Sequence, residues 1–402
     1  MSFDPQYLKV PVRALTINGE EYPILVKNVT LTREVDGHDS AQLSASFAGE
    51  ITFDGKVRVP LEADDPLSGT RDVDPQSMVG QRVSFIYGVS PRTEMFVGYI
   101  SSVVPESRFK SSLNYVVNML GATAVMQSVK QRFDKFKMVH EAVRDRAYYR
   151  YLGFIGDTHP FVLSAVAQSS DTDWEKCISL ARFIGYALFN WNGVVRLHNP
   201  VNLFTQYPYT TLTMSDNVLD TDRKLMDFKP GDFSDLLLAK QPVEASYFDS
   251  GGTVHTYRQE SNRSNPSYQP VTAYPAASET VAQVMIDASK ITMLRWTQAG
   301  TARISGDASI YPGMIVTINS GNSSSASLYN GRWLVAKVQH SMDRVTFNTE
   351  LSVTRPPVVP MYTQSAFQHF WQATDRGRPN LSVREGEWFS SWADPSVRLV
   401  TP

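Results

Sequence analysis

One run of strand-forming sequence occurs twice in this chain, and that repetition limits the fold more than any other feature. The first copy runs Gly80-Gln81-Arg82-Val83-Ser84-Phe85, then Phe96-Val97-Gly98-Tyr99-Ile100, then Tyr115-Val116-Val117-Asn118. The second runs Gly313-Met314-Ile315-Val316-Thr317-Ile318, then Tyr329-Asn330-Gly331-Arg332-Trp333, then Val345-Thr346-Phe347-Asn348. Gly80 and Gly98 are 18 positions apart, as are Gly313 and Gly331. Each copy reads as a strand leaving a turn, a glycine-marked return strand and a third alternating strand. Three such strands expose one apolar face, which must be covered by another layer or by closure, so a small barrel is expected from each copy. Two equivalent units in a chain that forms a trimer would present six units in a ring, consistent with the closed symmetry of most homo-oligomers.

The rest of the pattern is also mostly β. Ala41, Leu43, Ala45 and Phe47 alternate with Gln42, Ser44 and Ser46; Val345, Phe347, Leu351 and Val353 alternate with polar residues nearly as cleanly, Thr349 being the one polar residue on the apolar face. Period-two alternation marks half-buried strands. Further strands are expected near Ile24–Leu31, Val83–Tyr87, Met95–Ile100, Tyr115–Met119 and Met314–Ile318. Helices are fewer. One is predicted over Met138–Tyr149, ended by Gly153. Another is predicted over residues 173–184: Thr172 and Glu175 have capping-box spacing, Trp174, Ile178, Ala181 and Ile184 recur at helical spacing, and Gly185 suits the stop. Asn192-Gly193 between two apolar runs then predicts a hairpin. Leu61–Gln76, Ser250–Ser278 and Ser320–Ser327 read as polar loops.

Composition excludes several classes. The 402 residues are 42% apolar and 19% charged, which is globular, and the formal net charge of -2 is unlike that of a nucleic-acid-binding domain. A single cysteine, Cys177, rules out an intrachain disulfide framework. Neither a signal-peptide pattern nor an apolar run long enough to span a bilayer is visible, so the chain is expected to be soluble when made, without inserting into membranes. No catalytic group, metal site or cofactor is expected. Asp249-Ser250-Gly251-Gly252-Thr253 matches short protease signatures, but no second Asp-Ser/Thr-Gly exists, and a glycine hairpin explains it better. The seven histidines show no His-x-x-x-His spacing, and there is no phosphate-binding glycine loop. Trp174 and Cys177 read as core residues.

Three stretches make the sequence resemble the baseplate hub proteins of contractile phage tails, related to the hub portion of type VI secretion spike proteins and to siphophage tail-tip hubs. They are Thr172-Asp173-Trp174-Glu175 through Gly185-Tyr186 with the Asn192-Gly193 hairpin; Tyr311-Pro312-Gly313 with Val316; and Asn330-Gly331-Arg332-Trp333-Leu334-Val335 through Val338-Gln339-His340 and Thr346–Arg355. The resemblance implies an α+β, mostly β fold: two tandem related tube-type β-barrel domains with an inserted α/β middle portion. The first barrel would cover 1–130, the middle portion 131–204, and the second barrel 205–355, interrupted by an insertion near 245–285; 356–402 would be a C-terminal arm. The implied function is a structural, non-enzymatic hub in the virion's tail baseplate, assembled in the host cytoplasm. A homotrimeric, pseudo-hexameric ring would join the hexameric tail tube to a central spike. Expected partners are the tube protein, the spike protein, other baseplate proteins and a tape measure protein, with no sequence-specific nucleic-acid binding. A tail-associated cell-wall-degrading enzyme and a carbohydrate-binding tail-tip module are the alternatives.

The arm carries the candidate partner-binding residues: Phe367, Phe370, Trp371, Arg376, Arg378, Trp388, Phe389 and Trp392. Aromatic and arginine side chains are the usual anchors of protein interfaces. Packing of the arm back on its own subunit is the other reading.

Overall fold

The alternating segments form antiparallel ladders in a computed structural model of the chain. It describes residues 12–21, 24–47, 50–51, 57–62, 65–88, 93–109, 112–129, 131–205, 208–214, 225–231, 243–259, 272–295, 298–319, 329–343 and 346–355. The first part contains β1 (Val12–Ile17), β2 (Glu20–Glu21), β3 (Ile24–Glu34), β4 (Ser40–Phe47), β5 (Glu50–Ile51), β6 (Val57–Glu62), β7 (Asp65–Val73), β8 (Arg82–Gly88), β9 (Thr93–Phe109) and β10 (Ser112–Gly121). The middle contains β11 (Arg132–Met138), α1 (Val139–Tyr149), β12 (Gly153–Gly156), β13 (Val162–Gln168), α2 (Asp173–Phe183), β14 (Ala187–Trp191), β15 (Val194–His198) and α3 (Pro200–Thr205). Then follow β16 (Thr210–Thr213), β17 (Leu225–Pro230), β18 (Val243–Phe248), β19 (Val254–Gln259), β20 (Thr272–Pro275), α4 (Glu279–Arg295), β21 (Gln298–Ser305), β22 (Ile315–Asn319), β23 (Gly331–Met342) and β24 (Phe347–Arg355).

Two strand sets share one plan. The first has the order β3-β4-β10-β9-β8-β1 and the second β17-β21-β24-β23-β22-β16. Their registers correspond through the first five strands of each set; the sixth differs, since β1 runs antiparallel to β8 whereas β16 runs parallel to β22. Val117 lies between Leu43 and Val103; Leu351 lies between Ala302 and Val338. Both sets carry a register shift in the first ladder, between Val26 and Asn28 and between Leu225 and Asp227. Both carry another on the return strand, where Ser101 and Ala336 are the extra residues. Bulges are built features that add twist, so two shared bulges mark a common plan. Inward residues match as well: Val83, Phe85, Val103, Val117 and Met119 lie in the first core, and Val316, Ile318, Val338, Leu351 and Val353 lie in the second. Burying one such side chain contributes about 1.5–3 kcal/mol, so these layers carry much of each set's stability.

The equal 18-residue glycine spacing misaligns the two copies by two residues. Gly98 pairs with Val83, whereas Gly331 pairs with Ile318 and it is Trp333 that faces Val316. The copies have exchanged the two positions: Phe96-x-Gly98 in one is Gly331-x-Trp333 in the other. A slip of two keeps every side chain on its face, so the alternation alone could not reveal it.

The two sets share one sheet. β3 pairs with β23, which merges them into one 13-stranded sheet, and among the described residues no ladder closes either set on itself. The chain is mostly β with few helices, as expected. In the middle, β12, β15 and β14 form a mixed three-stranded sheet beside the β11–β13 pair, with α1 and α2 sharing their core. Thr172 Oγ1 accepts from the Glu175 amide at 3.1 Å and the Glu175 carboxylate accepts from the Thr172 amide at 2.8 Å, so the predicted capping box caps α2. Trp174 is buried, and Cys177 is buried with its thiol pushed up to about 12 by desolvation.

Several local expectations are corrected. Leu61–Gln76 is not one loop: β6 and β7 pair across much of it, and residues 75–78 form a 3-10 turn. Ser250–Ser278 contains β19 and β20. Residues 279–295, for which no element was expected, form α4, whose Ala282 and Ile286 pack on Ala245. The first helix ends on Tyr151 in the left-handed region at φ 59°, not on Gly153, which begins β12.

Candidate assembly interface

The internal junction shows how this sheet joins one unit to another. Residues 29–34 of β3 run antiparallel to residues 337–342 of β23, with His340 opposite Leu31 and Val338 opposite Arg33. Leu31 and His340 are fully buried. Burial lowers the His340 imidazole to about 3, so it is neutral, and its Nδ1 lies 2.9 Å from Thr349 Oγ1. Arg33 is buried in the same seam. Its Nε lies 3.4 Å from Asp39 Oδ2, and its Nη2 donates to Asn192 Oδ1 at 3.1 Å and to the Met95 carbonyl. Burial raises the Asp39 carboxyl to about 7 even against the pull of Arg33. Arg33 therefore ties the junction strand to the return strand of its own unit and to the middle hairpin.

The same two kinds of edge recur, open, elsewhere. Beyond Ile100, β9 has β10 on one side and, among the described residues, no strand on the other. β17 likewise has, among the described residues, only β21 beside it. In the shared register Pro105 takes the place of His340 and Pro230 that of Leu31, and both prolines are exposed. Val104 beside them is 49% exposed. Uncovered edges are templates for pairing, and proline, which lacks an N–H, restricts which partners they accept. Sequence reasoning missed these edges because openness depends on which strands end the sheet.

The middle portion exposes aromatic side chains. Phe133, Phe136 and Tyr151 are 60%, 78% and 99% exposed. Phe136 and Tyr151 also sit at φ 50° and 59°, where a bulky residue is strained. Tyr148, Tyr149 and Tyr151 border a cleft of about 760 Å³ shared with Arg82 and Arg150.

The sequence-selected partner-binding residues, Phe367, Phe370, Trp371, Arg376, Arg378, Trp388, Phe389 and Trp392, lie outside the described residues. Asp249 lies at a hairpin as expected: its Oδ1 accepts from the Gly251 and Thr253 amides at 2.8 Å each, and its Oδ2 is 2.8 Å from His255 Nε2. These bonds brace the turn between β18 and β19. Among the described residues no group of three His, Cys, Asp or Glu side chains is placed to hold a metal ion, and no helix is long and apolar enough to cross a membrane.

No family model and no curated protein matches the sequence. Solved structures do match in fold. A tail protein from Neisseria meningitidis superposes with a TM-score of 0.63 at 12% identity, over 86% of this chain and 96% of that one. A 43 kDa tail protein of prophage MuSo2 from Shewanella oneidensis gives 0.59 at 13% identity, over 86% and 98%. An E. coli protein described as a component of the type VI secretion system, structurally similar to T4 bacteriophage tail proteins, gives 0.54 at 11% identity, over 86% and 80%. The chain has the fold of these tail proteins, and the hub-like resemblance drawn from its sequence holds at that level.

Proposed function

We propose that this chain is a structural hub of a phage-tail-like assembly: a homotrimer whose six related strand sets form a ring between a hexameric tail tube and a central spike. One observation carries the reading. The chain contains two sets in which five strands share the same order and two bulges, joined edge to edge by different surfaces, β3 of one and β23 of the other. A contact made by two different surfaces can repeat, and if its rotation closes, the product is a ring. The fold neighbours support a place in a tail, and the likeness to a type VI secretion component supports association with a spike. A tail baseplate location and a non-enzymatic role follow from the same reading, as does a C-terminal arm that holds a neighbouring subunit or the spike.

The test is to mix the purified chain with the tube protein of the same tail and image the product. Rings capping tube ends are expected. A chain that ignores both tube and spike protein but cleaves cell-wall polymer would overturn the proposal in favour of a tail-associated enzyme.

A further inference from the structure

The internal junction predicts the contact between copies. We infer that the outer edge of β9 in one copy pairs with β17 of the next, in the register that β23 and β3 use within the chain. This rests on the ring reading above.

The correspondence of the two sets fixes the rungs. Within the chain Gln339 faces Thr32, His340 faces Leu31, Ser341 faces Thr30 and Met342 faces Val29. The ladders to β10 and β24 make Val104 the counterpart of Gln339, and Pro105 that of His340. The ladders to β4 and β21 make Pro230 the counterpart of Leu31 and Phe228 that of Val29. Transferred between copies, Val104 faces Gly231, Pro105 faces Pro230 and Ser107 faces Lys229.

Three observations favour a second copy as the occupant. Both halves of the junction are present in every chain, one on each edge, so each copy offers what the next one needs. The positions concerned are buried in the internal junction, where Leu31 and His340 have no exposure, yet hold exposed prolines at the open edges. Covering Pro105 with Pro230 restores the burial seen inside the chain. The prolines also match each other: a rung with no donor on one strand meets a rung with no donor on the other, so no N–H is stranded in the seam. One difference is accommodated. The first set carries an extra residue, Glu106, between Pro105 and Ser107, and Ser44 Oγ donates to its carboxylate at 3.1 Å, holding it to its own sheet.

Directly opposed residues of an antiparallel pair lie about 4.5–5.5 Å apart, within the span a disulfide bridges. The background is clean, because Cys177 is the single cysteine and is buried. The experiment is mild oxidation of the full-length Pro105→Cys/Pro230→Cys protein, with each single variant and a Ser107→Cys/Lys229→Cys protein alongside. Covalent dimers and trimers are expected on denaturing gels from either double variant, and monomers from each single variant. A protein with the native mass of three chains that forms no interchain disulfide in either double variant would overturn this register and leave the ring standing. Cross-linking of Pro230→Cys alone would also overturn it, since that requires like edges to meet. A monomer by native mass would remove the ring reading and this inference with it.

Discussion

Gly80 and Gly313 occupy the same position in two copies of one strand arrangement. Their amides donate to the carbonyls of Ile100 and Val335 at 2.8 Å in each case. The amides of those two residues donate back, to Gln81 at 3.1 Å and Met314 at 2.9 Å. Both glycines are left-handed, at φ 82° and 91°. The turn that launches β8 and the turn that launches β22 are therefore the same device. What differs is the surroundings: a Cβ on Gly80 would meet open space, and one on Gly313 would strike the Phe189 ring.

Gly80→Ala should destabilise the protein by about 1–2 kcal/mol, the cost of a left-handed Cβ. Gly313→Ala should cost clearly more, because Phe189 must also move. Urea midpoints of the two variants measure this. Equal losses would contradict the steric assignment.

Arg33→Met should destabilise by about 3–5 kcal/mol well above pH 7, where it leaves an ionised Asp39 buried without its cation, and by less near neutral pH, where Asp39 takes up a proton instead. Adding Asp39→Asn should recover part of that loss, so the double variant is less destabilised than the two singles added together. A double-mutant cycle measures the coupling. Strict additivity would contradict a direct pairing in the seam.

His340 sets a pH dependence. Its folded value, about 3, lies below the 6.5 of an ordinary imidazole, so below pH 6.5 the unfolded chain takes up a proton that the folded chain refuses. Its contribution to stability is complete above pH 6.5 and is lost as pH falls toward 3, at about 1.4 kcal/mol per unit. The stability gap between the wild type and His340→Gln should therefore narrow on acidification through this range. Denaturant titrations at fixed protein concentration test it; a gap independent of pH would contradict a neutral, buried imidazole.

Tyr151→Gly should stabilise the isolated chain by about 1 kcal/mol. The side chain is 99% exposed and its backbone is left-handed, so glycine removes strain without removing packing. A higher melting temperature is the expected readout. A lower one would show that the ring contributes contacts.

The sequence revealed the strands, the α2 capping box and the Asn192-Gly193 hairpin because each rests on local chemistry. Thr172 and Glu175 meet within one helical turn, and Asn192 and Gly193 adopt φ 47° and 84° where the hairpin needs them. The duplication was legible through Gly80 and Gly313, but its return strands were matched two residues out, since Gly98 and Gly331 look alike and Phe96 and Trp333 had traded places with them. α4 went unread because a run mixing Val, Ile and Ala from 279 to 295 suits a strand as readily as a helix. The merging of both sets into one sheet was beyond local reading altogether: β3 and β23 are far apart in the chain, and only the tertiary fold makes Arg33 and Val338 neighbours.

A ring closed by copies of a chain that carries two of its units requires an oligomer of fixed size. Native mass measurement of the purified chain tests this most directly. The predicted result is one species of three chains, each of 45.0 kDa. A stable monomer across the accessible concentration range would contradict it.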